Sequence, residues 1–115
     1  MKKIMSFNEF ESHVIAYMLR ERTEQNVLLS KQYDIAKIVS REFTGHGFFT
    51  DFDVTDTTLA LPDNANIELG CLGELEGVKH GVGFVLFVRN GYISVLEGYV
   101  YDETWPGVIG MFKLI

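Results

Sequence analysis

The sequence predicts an α+β fold in which two N-terminal helices pack on one face of a mostly antiparallel sheet of five to six strands. Apolar residues recur at helical spacing near the N-terminus, and they alternate with polar residues from about residue 38 onward. Asn90-Gly91 joins two β-rich runs, which is a strong short-range hairpin signal. At 115 residues the chain suits one domain, residues 1–115, with a core of its own.

The first predicted helix begins at a capping box, Ser6 with Glu9, which precedes apolar residues at helical spacing. These apolar residues are Phe7, Phe10, Val14, Tyr17 and Met18. The polar run RERTEQ (20–25) interrupts the pattern, and a second, shorter helix is predicted over about 24–34.

The strands follow from period-two alternation. Predicted strands cover IVSREF (38–43), FFTDFDV (48–54), IELGCLGEL (67–75), both halves of VGFVLFVRNGYISVLEGYVY (82–101) and the terminal MFKLI (111–115). The segment 55–66 contains Pro62 and turn formers and is predicted as a loop, and VKHG (78–81) as a turn. The tail 108–115 could equally pair with a neighbouring chain, so the sequence leaves the oligomeric state open.

A two-residue turn at Asn90-Gly91 would fix the register of the hairpin. Val88 would then face Ile93, Phe84 would face Glu97 and Gly83 would face Gly98. This register places Glu97 on the apolar side, where loss of solvent would raise its pKa as in a general acid. Alternatively, Glu97 is solvated at the sheet end, or a bulge at Glu97-Gly98 turns it outward.

The facing glycines Gly83 and Gly98 would leave a notch on the other side of the hairpin. Such a notch could admit a small ligand or another backbone. The alternatives are a bulge or a tight crossing of the sheet.

LEGYVYDETWP (96–106) gathers tyrosines, acids and the single tryptophan near the chain end. Tyrosine and tryptophan carry much of the binding energy at protein interfaces. The alternative is that Trp105 folds back over the core edge, since tryptophan is highly buried on average.

The charge distribution predicts a basic protein partner. The chain has a net charge of −6, but residues 42–104 hold two cations against eleven acids, a net of −9. This field repels nucleic acid, although it could also serve solubility alone. The predicted partner-binding residues are Asp51, Asp53, Glu97, Tyr101, Asp102, Glu103 and Trp105.

Cofactor and metal motifs are weak in this sequence. His13, His46 and His80 lack metal-ligand spacing, and a site formed by His46 with Asp51 and Asp53 has little support. No cofactor, metal or catalytic residue is therefore predicted. One cysteine, Cys71, and the absence of a signal-like or membrane-spanning run favour a cytoplasmic protein without a membrane partner.

Two blocks, VSREFTGHGFFTDF (39–52) and HGVGFVLFVRNGYISVLEGYVYDETWP (80–106), resemble a family of small uncharacterised bacterial proteins. The shared pattern reads "VSREFTG-GFFT-F", "HG-GF-LFV" and "LEG-TY---WP", and it spans roughly residues 38–112. Val100 stands where the family often has threonine, and His46 where a small apolar residue is commoner. The resemblance implies a bacterial origin and a single-domain layout, and it transfers no activity.

Three functions remain open from the sequence. The first is an interaction module, such as an immunity protein that neutralises a basic nuclease toxin. The second is a small-ligand-binding domain that uses the glycine notch. The third is a hydrolase in which His80 or Asp102 assists Glu97, so the chain is more readily interpreted as a binding protein than as an enzyme.

Overall fold

The computed structural model describes residues 5–115 and contains two helices followed by six strands. The helices are α1 (Phe7–Met18) and α2 (Glu24–Ile35). The strands are β1 (Lys37–Phe43), β2 (Gly47–Asp53), β3 (Ile67–Leu75), β4 (Val82–Arg89), β5 (Tyr92–Val100) and β6 (Phe112–Leu114). Two short 3-10 turns, Thr57–Leu59 and Pro62–Asn64, interrupt the loop before β3.

Both helices begin at side-chain caps. The hydroxyl of Ser6 accepts a hydrogen bond from the Glu9 backbone N–H at 3.2 Å, which confirms the predicted start of α1. The hydroxyl of Thr23 accepts from the Asn26 N–H at 3.1 Å, so one of the free N–H donors at the start of α2 is also satisfied.

The six strands form one antiparallel sheet in the order β1-β2-β5-β4-β3-β6. The β4–β5 hairpin lies at its centre, and both helices pack on one side, which we call the inner face. The predicted α+β architecture is therefore confirmed. The opposite side is called the outer face below.

An aromatic cluster fills the inner face. The ring centroids of Phe10, Phe84 and Trp105 lie within 6.5 Å of one another, and that of Phe48 lies within 6.5 Å of Phe84 and Trp105, in mostly edge-on contacts. Trp105 is only 7% exposed, and its backbone N–H donates to the Gly45 carbonyl at 2.8 Å. Such contacts stabilise a core beyond simple area burial, and they attach the segment after β5 to the sheet.

The hairpin turn is as predicted, but its register is not maintained. Asn90 and Gly91 both have positive φ, and Val88 pairs with Ile93. Phe87 then pairs with Val95, so Ser94 is an extra residue in β5, a β-bulge. Beyond Ser94, every side chain of β5 therefore points to the opposite face from the predicted one.

The fully buried side chain of Gln32 in α2 is bonded to the backbone beside this bulge. Its amide nitrogen donates to the carbonyls of Leu59 at 2.7 Å and Gly91 at 2.9 Å. Its amide oxygen accepts from the Ile93 N–H at 2.8 Å. One side chain thus satisfies three backbone groups and links α2 to the hairpin and to the 3-10 turn.

We expect Gln32→Leu to lower the free energy of unfolding by about 3 kcal/mol, because three hydrogen bonds would be lost in an apolar environment. The Gly91 carbonyl would keep its bond from the Leu61 N–H, but the Ile93 N–H and the Leu59 carbonyl would lose the partner that Gln32 supplies. Denaturant titration followed by circular dichroism measures this change. Gln25→Leu, at an exposed position of the same helix, is the matched control and should change the free energy by less than about 0.5 kcal/mol. Equal effects at both positions would contradict the role given to Gln32.

Candidate functional site

The outer face is an open sheet surface with an apolar centre. Its central positions carry Phe49, Val85, Phe87, Val95 and Tyr99, all partly exposed. Antiparallel sheets that face water on one side normally alternate apolar inside with polar outside. The two central strands depart from that rule, and an apolar surface rimmed by polar groups is typical of an interaction site.

Acidic residues surround this apolar centre. The outer face carries the carboxylates of Glu42, Asp51, Asp53, Glu68, Glu74 and Glu97. Across neighbouring strands, Glu42, Phe49 and Glu97 lie in one row, so the Phe49 ring lies between two carboxylates. Like charges in one row repel each other, and a cation placed over the ring would relieve that repulsion.

The peripheral acids have cationic neighbours. Arg89 forms a long ion pair of 3.9 Å with Glu68. In the register of the sheet, Lys37 lies opposite Asp53, and Lys113 lies opposite Glu74. These three acids are therefore partly compensated within the chain.

Among the residues that the structure describes, the three central acids lack such compensation. Within residues 5–115, no ion pair reaches Glu42, Asp51 or Glu97. Asp51 accepts a hydrogen bond from the Ser40 hydroxyl at 2.5 Å, which orients its carboxylate without neutralising it. The centre of the outer face therefore combines apolar rings with uncompensated negative charge.

Two tyrosines extend the outer face toward the end of the sheet where β5 ends. The rings of Tyr99 and Tyr101 meet edge-on with centroids 5.6 Å apart. The hydrogen bond with Tyr101, burial and the nearby Glu97 carboxylate raise the pKa of Tyr99 above its ordinary value. Tyr99 therefore stays a neutral hydroxyl at physiological pH, and Tyr101, 46% exposed, is accessible to a partner.

The structure brings together some of the predicted partner-binding residues. Asp51, Asp53 and Glu97 share the outer face, and Tyr101 lies at its end. Asp102 is exposed in the turn after β5, where it has a φ of 51°.

Glu103 has a structural role in the same turn. Its carboxylate accepts hydrogen bonds from the backbone N–H groups of Lys79 and His80, each at 2.8 Å at the closest oxygen. These bonds lower the pKa of Glu103, with the Lys79 bond as the main cause. Its carboxylate is thus already occupied in joining two turns.

The prediction that Trp105 belongs to a binding surface is wrong, and the alternative that it folds back over the core edge is confirmed. Its ring is part of the inner aromatic cluster, in contact with Phe10, Phe48 and Phe84. The hydrogen bond from its backbone to Gly45 keeps it there. The indole is large enough to close this end of the core, where α1 meets the sheet.

The prediction that Glu97 lies on the apolar side is also wrong, whereas the alternative that a bulge turns it outward is correct in outcome, although the bulge is at Ser94 and not at Glu97-Gly98. The bulge at Ser94 moves Glu97 from the apolar stripe opposite Phe84 to the outer face, between Phe49 and Val85. No hydrogen bond or ion pair of residues 5–115 joins Glu97 to His80 or Asp102. The geometry thus gives no support to an acid–base pair.

The predicted glycine notch does not form, because Gly83 and Gly98 point to opposite faces. Gly83 pairs with Tyr99, whose ring lies over it on the outer face. Gly98 pairs with Phe84 and lies under the Phe48 ring in the core. Both glycines make room for aromatic rings of the chain itself, not for a ligand.

Other polar groups show no catalytic or metal-binding arrangement in the described residues. Among residues 5–115, no three histidine, cysteine or acidic side chains gather closely enough for a metal. His46 points its Nδ1 at the Glu103 carbonyl, 2.8 Å away. Burial raises the pKa of the Cys71 thiol to about 11, so it is a poor nucleophile at neutral pH.

Sequence reasoning missed the apolar residues of the outer face and the central acid Glu42. One signal was present: β4 reads VGFVLFVR, in which both the odd-numbered and the even-numbered positions carry apolar residues. Strands of that kind are apolar on both faces. The sequence therefore contained evidence of a second apolar surface, although not of its acidic surroundings.

No protein-family model matches the chain, and no curated protein or solved structure is significantly similar to it. None of the helices in residues 5–115 is long and apolar enough to cross a membrane.

We expect Gly98→Ala to destabilise the protein by about 3 kcal/mol, because the added methyl group would lie 2.2 Å from a ring carbon of Phe48 in the core. Gly83→Ala should cost less, about 1 kcal/mol, because Tyr99 can swing away over the open face. Thermal unfolding of both variants measures the difference. The register without the bulge predicts similar costs, and equal values would contradict the observed pairing.

Proposed function

We propose that this chain is a protein-interaction module whose outer sheet face binds a basic protein partner. The observation that carries the proposal is the combination of an exposed apolar centre with three acids, Glu42, Asp51 and Glu97, that have no counter-charge in the described chain. A basic partner would supply the counter-charge and cover the rings in one step.

The outer face has the elements of a specific interface. The apolar centre can provide the desolvated core of the contact, and the peripheral acids with their cations form a polar rim. Long-range attraction from the net charge of −9 across residues 42–104 would accelerate association with a cationic surface.

A nuclease toxin is the partner class that this chemistry suits best, and we propose that the chain acts as its immunity protein. A nuclease needs a cationic surface to hold the phosphate backbone. Carboxylates spaced along a sheet face can occupy those cationic positions and thereby compete with nucleic acid. The proposal includes a bacterial, cytoplasmic setting, where such a pair would operate.

A small-ligand-binding function is the second candidate, supported by one observation. An open hollow of about 660 Å³ lies at the end of the sheet where β4 begins and β5 ends. Leu72, Glu74, His80 and Tyr101 border it. Its volume suits a small molecule. Its walls include no buried charged group, so the basic partner is the better supported function.

The decisive experiment identifies a partner and then tests the face. The immobilised chain would be used to capture proteins from a lysate of its native host, and each recovered protein would be purified and titrated against the chain by calorimetry. We expect a basic partner whose affinity falls with salt. If it is a nuclease, the chain should suppress its activity in proportion to the fraction bound.

Neutralisation of the central acids tests the site directly. Asp51→Asn with Glu97→Gln keeps the side-chain shapes and should weaken binding about tenfold or more, equivalent to about 1.4 kcal/mol, and reduce its salt dependence. The matched control is Glu24→Gln with Asp34→Asn on α2, which removes the same charge from exposed positions and should change affinity less than about twofold. Equal losses in both double variants would show that net charge, and not this face, drives binding.

A further inference from the structure

Strand β1 is one edge of the sheet, and among residues 5–115 no strand pairs with the outer side of its backbone. Thr44 donates its N–H to the Gly47 carbonyl at 3.0 Å, so this residue points its backbone toward β2. Backbone groups alternate in direction along a strand. The backbone groups of Arg41 and Phe43 therefore face away from the sheet. Those of Ile38 do so too, because the register of β1 with β2 shifts by one residue between Ile38 and Ser40.

The same edge exposes large apolar side chains. Val39 is 66% exposed, Phe43 is 56% exposed and Ile38 is 44% exposed. Edge strands with exposed apolar residues pair with other strands unless something blocks them. An edge of this kind invites β-strand addition, in which backbone hydrogen bonds supply affinity and side chains supply register.

The β1 edge also carries opposite charges at equal distances on either side of Ser40. β1 contains a bulge at Val39, since its register with β2 shifts between Ile38 and Ser40. Because of that extra residue, Lys37 and Glu42 lie on the same face, each two ladder positions from Ser40. The strand therefore carries a positive and a negative charge at equal distances from its centre.

We propose that two copies of this chain associate through antiparallel pairing of their β1 edges, with a two-fold axis at Ser40. Lys37 of each copy then meets Glu42 of the other, so two ion pairs form. Ile38 of each copy exchanges backbone hydrogen bonds with Arg41 of the other, about four bonds in total. A closed, two-fold contact of this type is the commonest form of homo-oligomer.

The alternative registers are less favourable. Hydrogen bonds form only between residues whose backbone groups face away from their own sheet, so one strand can slide along the other only in steps of two residue pairs. Each such step moves the two-fold axis by one residue along β1. A two-fold axis at Arg41 places Arg41 against its own copy, and an axis at Glu42 places Glu42 against its own copy; both bring like charges together. An axis at Ile38 avoids repulsion but leaves the Lys37–Glu42 pairs unmade. A bulge at an edge normally discourages pairing, whereas here it creates the matching charges.

The pairing also covers apolar surface. On the inner face, Ile38 of one copy would lie diagonal to two residues of the second copy, its Phe43 and its Ile38. Both would be within side-chain reach across the new strand pair. These side chains are among the more exposed apolar groups of the chain. The pairing shares Glu42 with the outer face proposed to bind a basic partner. It does not use Asp51 or Glu97, the two acids whose neutralisation tests that partner, so either proposal can fail without the other.

Sedimentation equilibrium of the full chain with charge-reversed variants tests the pairing. The wild type should exceed the monomer mass of 13.1 kDa, approaching twice that value, at concentrations up to about 1 mM. Glu42→Lys should raise the dissociation constant about tenfold or more, and the double variant Lys37→Glu, Glu42→Lys should restore it to within about threefold of wild type. Glu21→Lys, the same charge change at an exposed site away from β1, should leave it unchanged.

A wild-type chain that stays monomeric to about 1 mM would overturn the proposal. So would a dimer that Glu42→Lys leaves intact, or one that the double variant fails to restore, provided that circular dichroism shows each variant folded.

Ser40→Cys gives a second test that does not depend on charge. Directly opposed residues in a non-hydrogen-bonded antiparallel pair have Cα atoms about 4.5 Å apart, within the range that a disulfide spans. Mild oxidation should therefore link two Ser40→Cys chains covalently in high yield. Ala16→Cys on α1 and the wild type with its single Cys71 are the controls. Equal cross-linking of all three, or none at residue 40, would overturn the Ser40 axis.

Discussion

The bulge at Ser94 decides which side chains of the central hairpin enter the core and which face outward. Without it, Glu97 would lie among the apolar side chains of the inner face, where an unpaired carboxylate is costly. With it, Leu96, Gly98 and Val100 turn inward and Glu97 turns outward. The composition of both faces therefore depends on one extra residue in β5.

The Gln32 amide accounts for how the structure accommodates that bulge. β2 pairs with β5 only as far as the Asp51–Val95 position, so the backbone around Gly91 and Ile93 lacks a neighbouring strand on that side. Gln32 supplies an acceptor and a donor there, much as a peptide group would. A leucine could fill the same space but could not satisfy these groups, so a polar residue at this buried position is consistent with the packing around it.

Local signals predicted the parts of the fold that depend on local physics. The Ser6 cap and the Asn90-Gly91 turn act within a few residues, and both appear where the sequence indicated. The position of the bulge was not predictable in the same way, because the backbone of Ile93, next to Ser94, is bonded to Gln32 of α2, which lies far earlier in the chain. Trp105 was ambiguous for a similar reason, since its burial depends on rings from α1, β2 and β4 that only the folded sheet brings together. For the site, the acids of β2 were recognisable from alternation, whereas the side on which Glu97 lies required the bulge.

The distribution of charge constrains how this molecule can associate. The apolar centre of the outer face alone would favour stacking of two copies face to face. Glu42, Asp51 and Glu97 oppose that arrangement, because stacking would bring together two sets of carboxylates that form no ion pair with any residue of 5–115. The same acids favour a surface of opposite charge, so repulsion between copies and attraction to a basic partner arise from one set of residues. The β1 edge differs because it carries both signs of charge, and a surface with both signs can be complementary to itself.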